Sequence, residues 1–225
     1  MTPRKKDVEP LARQNIVDAA MKIIDAEGLD ALSMRRLGAE LGVNPMAAYY
    51  HVPNKAALYD LILDAVMAGV DTSGIDPAAT VEEQLKQAAR AYRAAILAHP
   101  HAIPVLAARS LRSAAALRPV EPFLGIVFAA GLTPMEAMAA ADVIAQYILG
   151  GAVGYYHQLV DSETGEQREF EELDAAEFPH TNRLIAEARY VGPVAEFEFG
   201  LDAIVRGLLA EPRYRLEGGS DVRGA

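Results

Sequence analysis

Residues 33–51, SMRRLGAELGVNPMAAYYH, constrain this chain more than any other stretch. Ser33 opens a short segment with Met34, Leu37 and Leu41 at helical spacing, and Gly42 stops it. Asn44 and Pro45 then read as the cap and first residue of a second helix that runs to about His51. Gly42 supplies the positive φ that so tight a turn requires. A helix of about seven residues is too short to persist alone, so its neighbours must hold it. Leu37, Leu41, Val43 and Val52 are apolar where they would fasten both short helices to an earlier one at 12–27. That helix lines up Ile16, Ala19, Ala20, Ile23 and Ile24 and stops at Gly28. The arrangement is a helix-turn-helix, the unit whose second helix enters a DNA major groove. A plain helical hairpin with no nucleic-acid role is the competing reading.

The chain carries a net charge of −10, which at first argues against a nucleic-acid partner. Its distribution matters more. Residues 1–60 hold 8 Lys/Arg against 8 Asp/Glu, and residues 61–225 hold 13 against 23, so the whole excess lies in the later part. Positive charges in the neutral part concentrate at Arg4, Lys5, Lys6, Arg13, Arg35, Arg36 and Lys55. An acidic body would discourage non-specific DNA binding elsewhere on the molecule. Ordinary solvated charge explains the same numbers, and charge alone does not choose.

The remainder reads as helix throughout. Pro53 and Asn54 start a helix at 54–69, and DTSGIDPAAT at 71–80 forms a boundary. Residues 81–98 are amphipathic, and HPHAIP at 99–104 breaks that helix. Further helices are expected at 104–112, 120–130, 135–159, 180–190 and 194–210, with an acidic loop at 160–179 and a disordered tail at 213–225. There is no alternating strand pattern and no internal repeat. The expected class is all-α: a three-helix bundle with a helix-turn-helix at 10–55, a connecting helix at 54–70, and a larger helical ligand-binding and dimerisation domain at 71–212. Cysteine is absent, which excludes disulfides and thiol chemistry and suits a reducing cytoplasm. No apolar run reaches about 18 residues, so no membrane span is expected, and MTPRKKDVEP lacks the apolar core of a secretory signal.

The stretch LSMRRLGAELGVNPMAAYYHVPNKAALYDLI, residues 32–62, resembles the TetR family of bacterial regulators. HPHAIPVLAARSLRS (99–113), QYILGGAVGYYHQ (146–158) and FEFGLDAIVRGLL (197–209) resemble, more loosely, the ligand domain of tetracycline repressors. The resemblance implies a homodimeric repressor released from a palindromic DNA operator by a small-molecule effector. It implies that Arg35 reaches a base edge or phosphate, and that Asn44, Pro45, Met46 and Ala47 form the base-facing start of the recognition helix. Tyr49 and His51 match phosphate-contacting positions, Tyr50 matches one that can touch a thymine methyl or the backbone, and Lys55 matches a phosphate clamp. Ala48 departs from the family, which commonly has a larger aliphatic residue there. Met46, Ala47 and Ala48 carry little hydrogen-bonding information, so the operator is not legible in this helix. The bland readings are that Tyr49 or Tyr50 packs on the next helix, that Met34 is core, that Arg36 is solvated and that His51 only caps.

By the same resemblance, helices near 135–159 and 194–210 pair the subunits in a four-helix bundle. Small residues from Ala137 to Gly154 permit close helix approach, although a buried intrachain helix suits them equally. Effector candidates are Tyr92, Ile96, His99, His101, Val105, Leu106, Phe123, Phe128, Gln146, Tyr147 and Tyr155, an apolar set with a few polar tips. His99 and His101 match the region that supports a magnesium-chelated drug in tetracycline repressors, but no carboxylate partner is evident, and no metal or other cofactor is expected. His157 and Asp161, at i,i+4, read as surface polar residues. No Ser/His/Asp order, Gly-rich phosphate loop or HExxH is present, so the chain does not read as an enzyme. A helical adaptor that uses its N-terminal face on another protein is the alternative.

Overall fold

The computed structural model describes residues 12–164, 173–188 and 192–210. Arg4, Lys5, Lys6 and the tail at 213–225 lie outside the described residues. Eleven α-helices occur among those described, with no strand. Helix α1 (Arg13–Glu27) buries Ile16, Val17, Ala20, Ile23 and Ile24 and ends at Gly28, whose φ is 82°. A 3₁₀ turn (Leu29–Ala31) leads to α2 (Met34–Leu41), capped by Ser33, whose hydroxyl accepts from the Arg36 amide at 3.1 Å. Gly42 closes α2 in the left-handed conformation, φ 65°. Helix α3 (Pro45–His51) is capped by Asn44, and α4 (Lys55–Ala68) by Asn54. Leu37, Ala48 and Val52 are all buried, so α3 is anchored by its inner face rather than by its own hydrogen bonds. Burial of a side chain such as Leu37 contributes roughly 1.5–3 kcal/mol.

The second set of helices is α5 (Val81–Leu97), α6 (Ile103–Ala107), α7 (Ala114–Leu117), α8 (Val120–Ala129), α9 (Pro134–Thr164), α10 (Pro179–Glu187) and α11 (Pro193–Leu209). Helix α5 packs on α8, α9 and α11, and α9 also on α6 and α8. Helix α4 joins the two sets by packing on α1, α5, α6 and α7. One apolar core therefore runs without a break from Ile16 to Val205.

Two expectations change. The helix expected at 104–112 stops at Ala107, because Arg109 and Ser113 turn to partners on α4, and Ser113 caps the short α7 that the sequence did not announce. The acidic stretch expected as loop from 160 begins as helix, since α9 runs on to Thr164 with no Pro or Gly to stop it after Gly154. Residues Pro134–Asp161 are also long and apolar enough to cross a membrane, despite Glu136 and Asp142. In this fold that helix is a core element: Ala137, Ala140, Ile144, Ile148 and Ala152 are buried against α5, α6, α8 and α11.

Candidate DNA interface and effector cavity

The cap and anchor residues of α3 decide what it displays. With Ala48 turned inward, Met46 is 72% and Tyr50 88% exposed, and Ala47 and His51 are exposed beside them. Tyr49 is less exposed, at 41%. Tyr50 and His51 meet edge to face, ring centroids 5.4 Å apart. Asn44 spends its side-chain oxygen on the Met46 amide at 2.9 Å, which leaves its NH₂ as the group able to meet a base. Pro45 takes the first helical position, where the missing N–H costs nothing. Lys55 is exposed at the first turn of α4, its ammonium 5.4 Å from the Tyr59 ring centroid.

The two arginines of α2 differ. Arg35 is exposed. Arg36, read from the sequence as solvated, instead binds Glu27 at 2.5 Å and Glu40 at 2.9 Å, and Lys22 reaches Glu40 at 2.6 Å. The hydrogen bond from Arg36 holds the Glu27 carboxyl below its usual range, and those from Lys22 and Arg36 do the same for Glu40. Arg36 itself is held more firmly protonated by Glu27 and then Glu40. It fixes α2 to α1, and Arg35 is left to face outward.

Helices α4, α5, α8 and α9, with α6 and the segment after it, line a half-open cavity of about 730 Å³. Tyr92, Leu106, Phe123, Phe128 and Gln146 line it, together with residues the sequence did not single out, among them Met67, Arg109, Met138 and Asp142. Burial pushes the Tyr92 phenol up, so it stays a neutral hydroxyl. The other candidates stand apart from this wall. Ile96 and Val105 are buried in the core. His99 binds Asp25 of α1 at 3.0 Å, and the His101 ring lies edge-on to Tyr156. Tyr147 stacks on Phe197 and donates to the Phe197 carbonyl at 3.0 Å, fastening α9 to α11. Tyr155 is exposed further along α9. Among the described residues, no three His, Asp or Glu side chains are grouped as a metal site would need.

The cavity wall is also tied to α4. Arg109 donates from Nε to Asp60 at 2.9 Å and from Nη2 to the Ala56 carbonyl at 3.1 Å. Four residues on, Ser113 donates to Asp64 at 2.5 Å. The signal for this was present in the sequence: Asp60 and Asp64, and Arg109 and Ser113, are each spaced i,i+4.

On the other side of the bundle, α11 is seamed to α5. Lys86 meets Asp202 and Glu82, and Arg90 grips Glu198 through two bonds of 2.9 and 2.8 Å. Exposed apolar side chains remain on the outer surfaces of α9 and α11, including Val143, Val194 and Phe199.

Known proteins share this plan. Residues 16–62 match the family model described as bacterial regulatory proteins, tetR family, and residues 74–211 match that of the tetracyclin repressor-like, C-terminal domain. The HTH-type transcriptional repressor DrrR1 of Streptomyces coeruleorubidus is 32% identical over 92% of this chain and 80% of its own length. A class A tetracycline repressor from Escherichia coli is 30% identical over 88% of this chain and 90% of its own. The crystal structure of the TetR family protein ActR from Streptomyces coelicolor in complex with actinorhodin superposes with a TM-score of 0.76 at 30% identity, covering 89% of this chain and 98% of that one. The chain belongs to the TetR family and is a ligand-responsive, DNA-binding transcriptional repressor.

Proposed function

We propose that two copies of this chain bind a palindromic operator through α3 and that a small molecule in the 730 Å³ cavity releases them. The observation that carries the reading is the continuity between cavity wall and DNA-binding end: Arg109 lines the cavity and holds Asp60 and Ala56 on α4, whose first residue is Lys55. In this reading Arg35 and the start of α3, from Asn44 to Ala47, read the sequence. Tyr49, Tyr50, His51 and Lys55 hold the backbone, where the amides at the start of α4 add to the Lys55 charge. Pairing through α9 and α11 would cover Val143, Val194 and Phe199 and set the spacing of the two recognition helices to one turn of DNA. The unit boundary falls at 71–80, with α4 as the lever between the parts.

The switch is a population shift. An effector lowers DNA affinity only to the extent that it binds the non-matching dimer more tightly than the matching one. The protein acts without turnover, in the cytoplasm where its operator lies. The test is selection of bound DNA from a random pool, followed by titration of the selected duplex with salt and candidate effectors. Operator binding weakens steeply with salt as counterions are released. Retention that ignores salt, or a selected pool without two-fold symmetry, would overturn the reading.

A further inference from the structure

Accepting the cavity as the effector site, we infer that its ligand class is an aromatic cation, an organic molecule with fused or linked rings and one positively charged nitrogen, seated by Asp142. Two charged residues, Arg109 and Asp142, line the cavity among the described residues. They are not equivalent. Arg109 is already engaged by the Asp60 carboxylate and the Ala56 carbonyl. Asp142 makes no hydrogen bond or ion pair among the described residues. The charge left to a ligand is therefore negative. Gln146 follows Asp142 by one turn of α9 and adds an amide carbonyl, a second acceptor for an ammonium or ring N–H.

The rest of the wall suits the rings. Tyr92, Phe123 and Phe128 present aromatic surfaces, and Met67 and Met138 present thioethers that adapt to flat polarizable groups. A cation over such faces is attracted by their quadrupoles as well as by the carboxylate. A metal-chelated ligand lacks donors here, since His99 and His101 stand outside the wall and Asp142 is its one carboxylate.

Tetraphenylphosphonium and tetraphenylborate test the sign of the charge, because they share a shape and differ in charge. Binding of each to the full chain is measured by calorimetry, with Asp142→Asn, Asp142→Lys and the cavity-filling Ala141→Phe alongside. The phosphonium should bind the native chain about tenfold more tightly than the borate, a difference of the size that one partly exposed carboxylate and an aromatic wall supply. Asp142→Asn should cut the preference to what the aromatic wall alone supplies, and Asp142→Lys should reverse it. Ala141→Phe should abolish binding of both. No phosphonium binding at millimolar concentration, a borate that binds as tightly, or an Asp142→Asn variant with unchanged preference would overturn the inference. If both ions bind and Ala141→Phe leaves them bound, they lie elsewhere, and the effector-site reading fails with it. If Ala141→Phe removes both while Asp142 proves indifferent, the site stands and its charge preference falls.

Discussion

Arg109 donates to Asp60 across 49 residues of sequence, so a residue that lines the cavity is held to the helix that begins at Lys55. With side chains 27% and 56% exposed, the pair is worth little as stability, about 0–1 kcal/mol. Its consequence is orientation. Arg109→Ala and Asp60→Ala should each lower operator affinity about fivefold or more, the lower end of ordinary coupling between sites. The double variant should lose no more than Arg109→Ala alone, because Arg109 carries both the Asp60 bond and the one to the Ala56 carbonyl. Affinities measured for all four proteins on one selected duplex decide this, and additive losses would mean that the two residues act independently.

Arg35 and Lys55 should fail in different ways. Lys55→Ala removes a charge at a helix start, so it should weaken binding to every duplex alike and reduce the salt slope by about one. Arg35→Ala should cost about 1–3 kcal/mol on the selected operator and far less on a scrambled one. Titrations of both variants on both duplexes at several salt concentrations separate these outcomes. Equal losses on both duplexes would remove Arg35 from sequence readout.

The helix-turn-helix was legible because its determinants are local. Ser33 and Asn44 cap with their own side chains, Gly42 takes the positive φ assigned to it, and Pro45 opens α3. The cavity was legible only in part, because membership depends on how α5, α8 and α9 are rotated against one another. Tyr92, Phe123 and Gln146 face it, while Ile96, of the same amphipathic helix as Tyr92, is spent on the core. His99 and His101 looked like polar tips in sequence. Their partners, Asp25 and Tyr156, are remote in the chain, and no local pattern announces such pairs. The early end of α6 has the same origin, since Arg109 and Ser113 answer to α4 rather than to helical spacing.

The clamp of Arg36 on Glu27 and Glu40 makes the α1–α2 junction sensitive to acid. Both carboxyls titrate below their ordinary value of 4.5 in the folded chain. A depressed folded pKa contributes stability that is present above the unfolded value and lost as pH falls through the folded one. The junction should therefore be indifferent to pH above 4.5 and weaken progressively below it. Arg36→Met should remove the Glu27 part of this acid dependence, keep the part that Lys22 imposes on Glu40, and leave Arg35 exposed as before. Thermal midpoints of the two proteins between pH 3 and 7 test it: the gap should be widest near neutrality and close on acidification. A constant gap would mean that the ion pairs contribute nothing.

Gly200 is the position on α11 where a methyl group should do most harm. A Cβ there would come within 2.6 Å of the Tyr147 ring carbon that bears the hydroxyl. The ring cannot simply swing away, because it stacks on Phe197 at 5.7 Å and donates to the carbonyls of Glu196 and Phe197. Replacing a helical glycine by alanine gains about 1 kcal/mol of intrinsic propensity. Against that stand overpacking of about 1–3 kcal/mol and one shared hydrogen bond worth about 1 kcal/mol, so the clash wins. Gly200→Ala should lower the thermal midpoint by about 2–8 °C for a chain of this size. In a Tyr147→Ala background the same change should be neutral or stabilising, because the obstacle is gone. A Gly200→Ala protein as stable as the native chain would show that Tyr147 is not fixed between α9 and α11. The proposed dimer bundle would then lose the rigid pairing of those two helices on which its geometry depends.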